Sequence, residues 1–303
     1  MTFGAALGSV ELGLIYAIMA LGVFLSFRTL NTPDLTVDGS IVTGMAASVM
    51  VCSAGGNPWL GLFLAFIVGC LAGFITALLN TKLGIQPLLA GILVMLGLYS
   101  VNLRIMGGKA NVAIIKSDTV YKSFQELVRT EYSSMILGLI LLILITACFY
   151  YFLRTRLGFA LRATGDNDDM VRASGINSDA MRLIGLGLSN GLVGLAGGLL
   201  AQYQSVADIG MGVGMVVVGL ASVIIGEAVF GTRSLMRRLI AVSLGAILYR
   251  MIIAFAFNLG MPSTDLKLVS AVIVTFALST GVLGEKFSIP ALIQKGGAKK
   301  CLK

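Results

Sequence analysis

Long apolar runs, separated by short polar stretches, recur along the whole of this 303-residue chain. Nine runs are long enough to cross a hydrocarbon core about 30 Å thick: 8–27, 35–54, 59–79, 88–106, 135–153, 183–201, 209–230, 239–259 and 266–283. None shows the polar–apolar alternation of a barrel strand, and backbone in lipid must satisfy its own hydrogen bonds. The pattern therefore predicts an all-α, polytopic membrane bundle of about nine transmembrane helices. The polar stretches reach only about 30 residues, too short for an independent core, so residues 1–303 read as a single transmembrane domain.

Composition agrees with that pattern. The chain is 57% hydrophobic and 12% charged, roughly half the charged share of a soluble domain. Residues 1–10 lack the basic region and small-residue cleavage site of a signal peptide, which predicts that the first run is kept as a span.

Charge then sets an expected orientation. The net charge is +8, but the basic residues gather in loops between apolar runs, which points to membrane topology rather than nucleic acid. The loop 154–182 carries Arg154, Arg156, Arg162, Arg172 and Arg182 and is assigned to the cytoplasm. Alternation of nine spans then places Arg28, Lys82 and the Arg233/Arg237/Arg238 group inside, with the lysine-rich tail 284–303, and the N-terminus outside. The external loop 107–134 is the exception, because it holds Lys109, Lys116, Lys122 and Arg129 beside Asp118, Glu126 and Glu131.

Candidate chemistry is sparse. No histidine is present, and Cys52, Cys70, Cys148 and Cys301 show no C-x-x-C spacing, so neither a metal site nor a disulfide framework is indicated. Nothing matches G-x-x-x-x-G-K-[ST], so ATP hydrolysis is not expected of this chain. Nor does a nucleophile–base or paired-carboxylate pattern stand out. Glycine is abundant, at 38 residues. Gly187 and Gly191, like Gly194 and Gly198, are four apart and share a helix face, for tight packing or for a rocking contact.

The loop 154–182 carries most information. Asp166 is placed to cap a short helix with Asp168 and Asp169 in its first turn. Gly175 ends that helix, and Asn177 or Ser178 caps a second one running into the sixth span. Met170, Val171, Ala173 and Ile176 give the loop an apolar face, which a solvated linker does not need. Arg172 lies between these residues.

The same loop resembles the coupling loop of ATP-binding-cassette import permeases of the branched-chain amino-acid and ribose type. The resemblance rests on Leu157-Gly158-Phe159-Ala160-Leu161-Arg162-Ala163, on Ala173-Ser174-Gly175-Ile176-Asn177, and on the glycine-rich run 187–198. Residues 32–40 and 91–107 are similar to the subgroup called tryptophan/tyrosine-type transport permeases. The resemblance implies a multi-pass protein of the bacterial cytoplasmic membrane, importing a small solute such as an amino acid by alternating access. It implies a second permease copy, cytoplasmic ATPase subunits that hold the ATP and magnesium, and an extracytoplasmic solute-binding protein. No cofactor is expected on this chain.

Polar groups within the spans mark a candidate solute pathway, since intramembrane ionisable groups are costly. They are Asp38, Tyr99, Ser100, Asn102, Asn190 and Glu227. Glu227 can pair with Arg250. Asp38-Gly39 either breaks the second span or belongs to a re-entry turn over 31–40. The alternative reading, a self-sufficient secondary transporter or channel, needs mid-depth coupling carboxylates, of which the chain has few.

The charge assignment predicts opposite sidedness for two loops. In a cysteine-free background, Lys116→Cys should react with an impermeant maleimide on intact cells, and Arg172→Cys should not. Reversed labelling would invert the topology, and equal labelling would discard it.

Overall fold

The computed structural model describes residues 3–258, apart from 115, 116 and 131, together with 268, 270–272 and 275. Among the described residues, eight helices are long and apolar enough to span a membrane. They fall on the first eight predicted runs. The ninth run lies almost wholly outside the described residues, and the tail 284–303 wholly so.

The first span is α1 (Phe3–Val23), continued by a π-helical turn, Phe24–Thr29. Next come α2 (Thr36–Ser53), α3 (Pro58–Lys82) and α4 (Pro87–Ile105). Both α3 and α4 begin on proline, whose missing N–H would be unpaired at that position anyway. The loop beyond α4 forms strand β1 (Asn111–Ala113) and the short helix α5 (Val120–Val128), before the span α6 (Ser133–Arg154). Two short helices, α7 (Arg156–Asp166) and α8 (Asp168–Ala173), lead into the long span α9 (Ser178–Gln204). Strand β2 (Val206–Asp208) and a 3₁₀ turn, Ile209–Gly212, precede α10 (Met215–Phe230), and α11 (Leu235–Asn258) packs back against it.

The apolar stretches of α1, α2 and α9 are 78%, 72% and 78% buried, against 28% and 33% for α4 and α6. The first three therefore form the centre and the other two the rim. Glycine lets the central helices approach closely. A Cβ at Gly187, Gly191, Gly194 or Gly198 of α9 would meet α3, so all four lie on one face, as their spacing requires. A Cβ at Gly44 of α2 would overlap the Gly194 backbone, and one at Gly197 would overlap the Ile41 carbonyl.

The bundle is all-helical, as expected, and its loops add one short ladder. β1 pairs antiparallel with β2, with Val112 opposite Ala207. This small ladder places the 107–134 loop beside the α9–α10 junction, at the end of the bundle opposite α7 and α8. Gln202 closes the same end. It accepts from the Val120 N–H at 2.9 Å and donates to Ser48 Oγ at 2.9 Å and to the Pro58 carbonyl at 3.0 Å.

Gly44→Ala and Gly194→Ala should each lower the thermal midpoint of the purified protein, since overpacking costs about 1–3 kcal/mol. Gly97→Ala should not, because nothing lies within 4 Å of a Cβ there. Equal midpoints for all three would show that α2 and α9 are not in backbone contact.

Candidate functional site

Asn190 is the thirteenth residue of α9, half-way along it. It is fully buried, and its Nδ2 donates to Asp34 Oδ2 at 2.6 Å while its Oδ1 accepts from Ser40 Oγ at 2.7 Å. Asp34 Oδ1 accepts the Thr36 N–H at 2.8 Å. The chain leaving the π-helical turn thus runs inward beside α9, and α2 begins inside the bundle, with Thr36 Oγ1 2.7 Å from Thr76 Oγ1 of α3. This is the re-entry arrangement, reached through Asn31 at φ 50°. A buried carboxylate without such donors would be costly. Here it satisfies the opening turn of α2.

Asp38, in the first turn of α2, performs the same service for another helix. Its Oδ2 accepts the Gly214 N–H at 2.9 Å and its Oδ1 the Val216 N–H at 2.8 Å. It therefore caps α10. The interruption lies in the 209–230 run, between the 3₁₀ turn and α10, with Gly214 at φ 89°. The alternative of a break at Asp38-Gly39 is corrected: α2 continues through both. Gly39 is helical, and its missing Cβ admits Leu98 of α4, whose Cδ1 would lie 2.9 Å from a Cβ placed there.

A cavity of about 200 Å³ opens where α2, α4 and the 209–213 segment meet. Asp38, Tyr99 and Asn102, three of the expected pathway residues, line it together with apolar groups such as Met95 and Leu96. Asn102 is 1% exposed and donates to the Gly39 carbonyl at 3.3 Å, while its Oδ1 has no protein partner. The site is an apolar cleft with one unused acceptor and a phenol at its mouth. Ser100 lies on the exposed face of α4 outside the cavity, and Asn190 sits in the buried cluster instead.

The helical pair before α9 forms the second site. Asn167, not Asp166, caps α8, accepting the Met170 N–H at 3.0 Å. Asp166 is instead the last residue of α7, a helix that the local pattern does not separate from α8. The amide side chain at 167 is in register with the third N–H of the helix, as capping requires. Asp168 and Asp169 occupy the first turn, and Gly175 ends the helix at φ 79°, both as expected. Asn177 caps α9 through the Ala180 N–H at 3.1 Å. Arg172 bonds Asp168 at 3.2 Å and Asp179 at 3.0 Å, fastening α8 to the base of α9. Met170 (61% exposed), Ala173 and Ile176 face outward beside Phe159 of α7, but Val171 is 2% exposed and anchors the unit from within. The outward apolar face is therefore three residues of α8 and its exit plus Phe159, and Val171 leaves it.

The family model described as "Branched-chain amino acid transport system / permease component" matches residues 6–278. The chain belongs to this family. The permease is similar to the tyrosine transport system permease protein of Clostridioides difficile, 40% identical over 89% of each chain. It also resembles the guanosine ABC transporter permease protein of Bacillus subtilis, at 26% identity over 93% of this chain and 82% of that one. A solved metal-chelate type ABC transporter in an inward-facing conformation aligns with 93% of this chain and 85% of its own, at 16% identity and a TM-score of 0.49. Family membership makes the permease the multi-pass membrane subunit of an ATP-binding-cassette importer. It works with ATPase partners, and ATP hydrolysis belongs to those chains.

Two further charged residues of the permease lie elsewhere than the sequence suggested. Glu227 pairs with Arg28 at 3.1 Å, at the end of the bundle where α7 lies, and not with Arg250. Arg250 instead stands over the Tyr16 ring at 3.9 Å. Asp34 was missed as a functional position. Its signal was an aspartate two residues before Thr36 at a helix start, a common Asx-turn pattern.

Asp38→Ala leaves two helix N–H groups without acceptors inside the bundle, at about 1–3 kcal/mol each. The thermal midpoint should fall by several degrees, at about 2–4 °C per kcal/mol. Asp38→Asn keeps one acceptor and should fall by roughly half as much. An unchanged midpoint in Asp38→Ala would show that α10 does not depend on this cap.

Proposed function

We propose that the permease imports an amino acid of aromatic type. Two copies would form the channel, ATPase subunits would seat on α7–α8 from the cytoplasm, and a solute-binding protein would dock at the β1–β2 end. The relative that shares 40% identity is by name a tyrosine permease, and the cavity at Asp38, Tyr99 and Asn102 offers an apolar cleft of suitable character. In this reading the N-terminus is external, and the arginine-rich end with α7 and α8 faces the cytoplasm.

The cavity is open on the side of α4, where Leu89, Leu93, Leu96 and Tyr99 are all exposed. A second copy covering that face would complete the passage. The half-helix start at α10, a recurrent feature of transporter sites, would then lie at the passage wall.

One observation carries the coupling role. Met170, Ala173 and Ile176 stay exposed although caps and two arginine ion pairs fix the helix that bears them. A rigid, exposed apolar face is suited to docking, where burial contributes about 25 cal/mol per Å². Ala173 is small enough to let a groove approach the helix backbone.

Ala173→Glu should therefore leave the permease inserted at normal abundance, lower copurification of the ATPase, and abolish tyrosine uptake. Uptake at wild-type level with the ATPase still bound would remove α8 as the docking element. Normal ATPase binding by the wild type, with no tyrosine-dependent uptake, would sink the solute assignment alone.

A further inference from the structure

A second cavity, of about 480 Å³, lies between the end of the π-helical turn, α7 and the α10–α11 turn. Four arginines line it, Arg28, Arg162, Arg233 and Arg238, against one carboxylate, Asp166. Glu227 neutralises Arg28 from beside the cavity at 3.1 Å. Arg238 is oriented by the Thr232 carbonyl, which its Nε meets at 3.0 Å. Arg162 lies near the Phe159 ring, at 5.5 Å, and its buried Nε has no partner in the protein. The cavity thus keeps an excess of positive charge.

Its level in the bundle decides what fits. The first span ends at Thr29, the seventh at Phe230, and the eighth begins at Leu235. Thr29 and Leu235 both line the cavity, so it lies where these spans end. Phe24 and Leu235, with Phe159 and Met170 of the outward face of α7 and α8, supply its apolar lining beside the four arginines. A ligand suited to this arrangement carries an anionic phosphate next to an apolar body. The π-helical turn, which re-aims Arg28 and Thr29, is a local irregularity of the kind that clusters at functional positions.

We propose that this cavity binds the phosphodiester headgroup of an anionic phospholipid from the surrounding bilayer. A headgroup held by Arg162 of α7 and Arg233 of the α10–α11 turn joins the helical pair before α9 to the ends of two spans. Basic pockets at the membrane surface are suited to such headgroups, and each arginine near the surface contributes about fivefold in affinity. Gly165 seats α7 against this region, since a Cβ there would overlap the Thr29 carbonyl.

The test uses the purified full-length permease, with short-chain phosphatidylglycerol as the probe and the thermal midpoint as readout, because a ligand of the folded state raises it. Phosphatidylcholine of the same chain length and inorganic phosphate are the comparators. Phosphatidylglycerol should raise the midpoint, and the paired change Arg162→Gln with Arg233→Gln should shift the titration by at least about tenfold. Arg162→Lys with Arg233→Lys, which keeps both charges, should respond much as the wild type does, and so should Lys82→Gln. An equal response to phosphatidylcholine would overturn the proposal, as would an equal response to phosphate alone, which would assign a soluble anion. An unchanged titration in the Gln pair would overturn it too. Loss of the response on adding equimolar ATPase subunit would assign the cavity to that partner instead.

Discussion

A helix that starts within a bilayer begins with N–H groups that water cannot reach, and nothing in hydrocarbon replaces the lost acceptors. Two helices of this permease start inside the bundle on side-chain acceptors. Asp34 and Asn190 satisfy the opening of α2, and Asp38 satisfies the opening of α10. Remove these acceptors and neither helix can begin where it does, so the chain has no reason to leave a cavity between them. The carboxylates are there for the backbone first, and the cavity is a consequence of where they allow helices to start.

Around this point the bundle is held by contact between backbones rather than by large side chains. α9 touches α2 at Gly44 and Gly194 and touches α3 through four glycines of one face. Close backbone approach favours dispersion contacts and lets a polar residue such as Asn190 reach two helices at once. The base of the same helix is pinned by Arg172 and Asp179 to α8. α9 thus runs from the turn and ion pair that hold α8 to Asn190, which supports the start of α2.

The spans were legible because lipid imposes a length and a composition on each. The run 209–230 coincides with a candidate span to the residue. The internal structure of that run was not legible. Hydropathy does not distinguish a 3₁₀ turn and a glycine break from a continuous helix, since Ile209, Met211 and Val213 are as apolar as the residues of α10. Helix caps were legible in kind but not in register. Asp166, Asn167 and Asp168 are adjacent, all are competent caps, and only the tertiary position of α7 selects Asn167. The partners of charged residues were least accessible. Glu227 meets Arg28 because the ends of α1 and α10 adjoin, a fact that no local pattern contains. Of the candidate pathway residues, the fold gathers Asp38, Tyr99 and Asn102 around one cavity, but the sequence offered no reason to set Ser100 or Glu227 apart from them.

Asp38 has a further consequence for the cavity it lines. Two hydrogen bonds from α10 end on this one side chain of α2, so those helices cannot separate without breaking both. On the opposite side, α4 is fastened near the cavity by the bond from Asn102 to the Gly39 carbonyl, at 3.3 Å. On that side Leu98 also packs on Gly39, and Leu35 on Gly91, so both walls of the cleft are held to α2. Any widening of the cleft therefore has to move α2 against both neighbours at once, and the size of a guest is limited by the packing of that one helix.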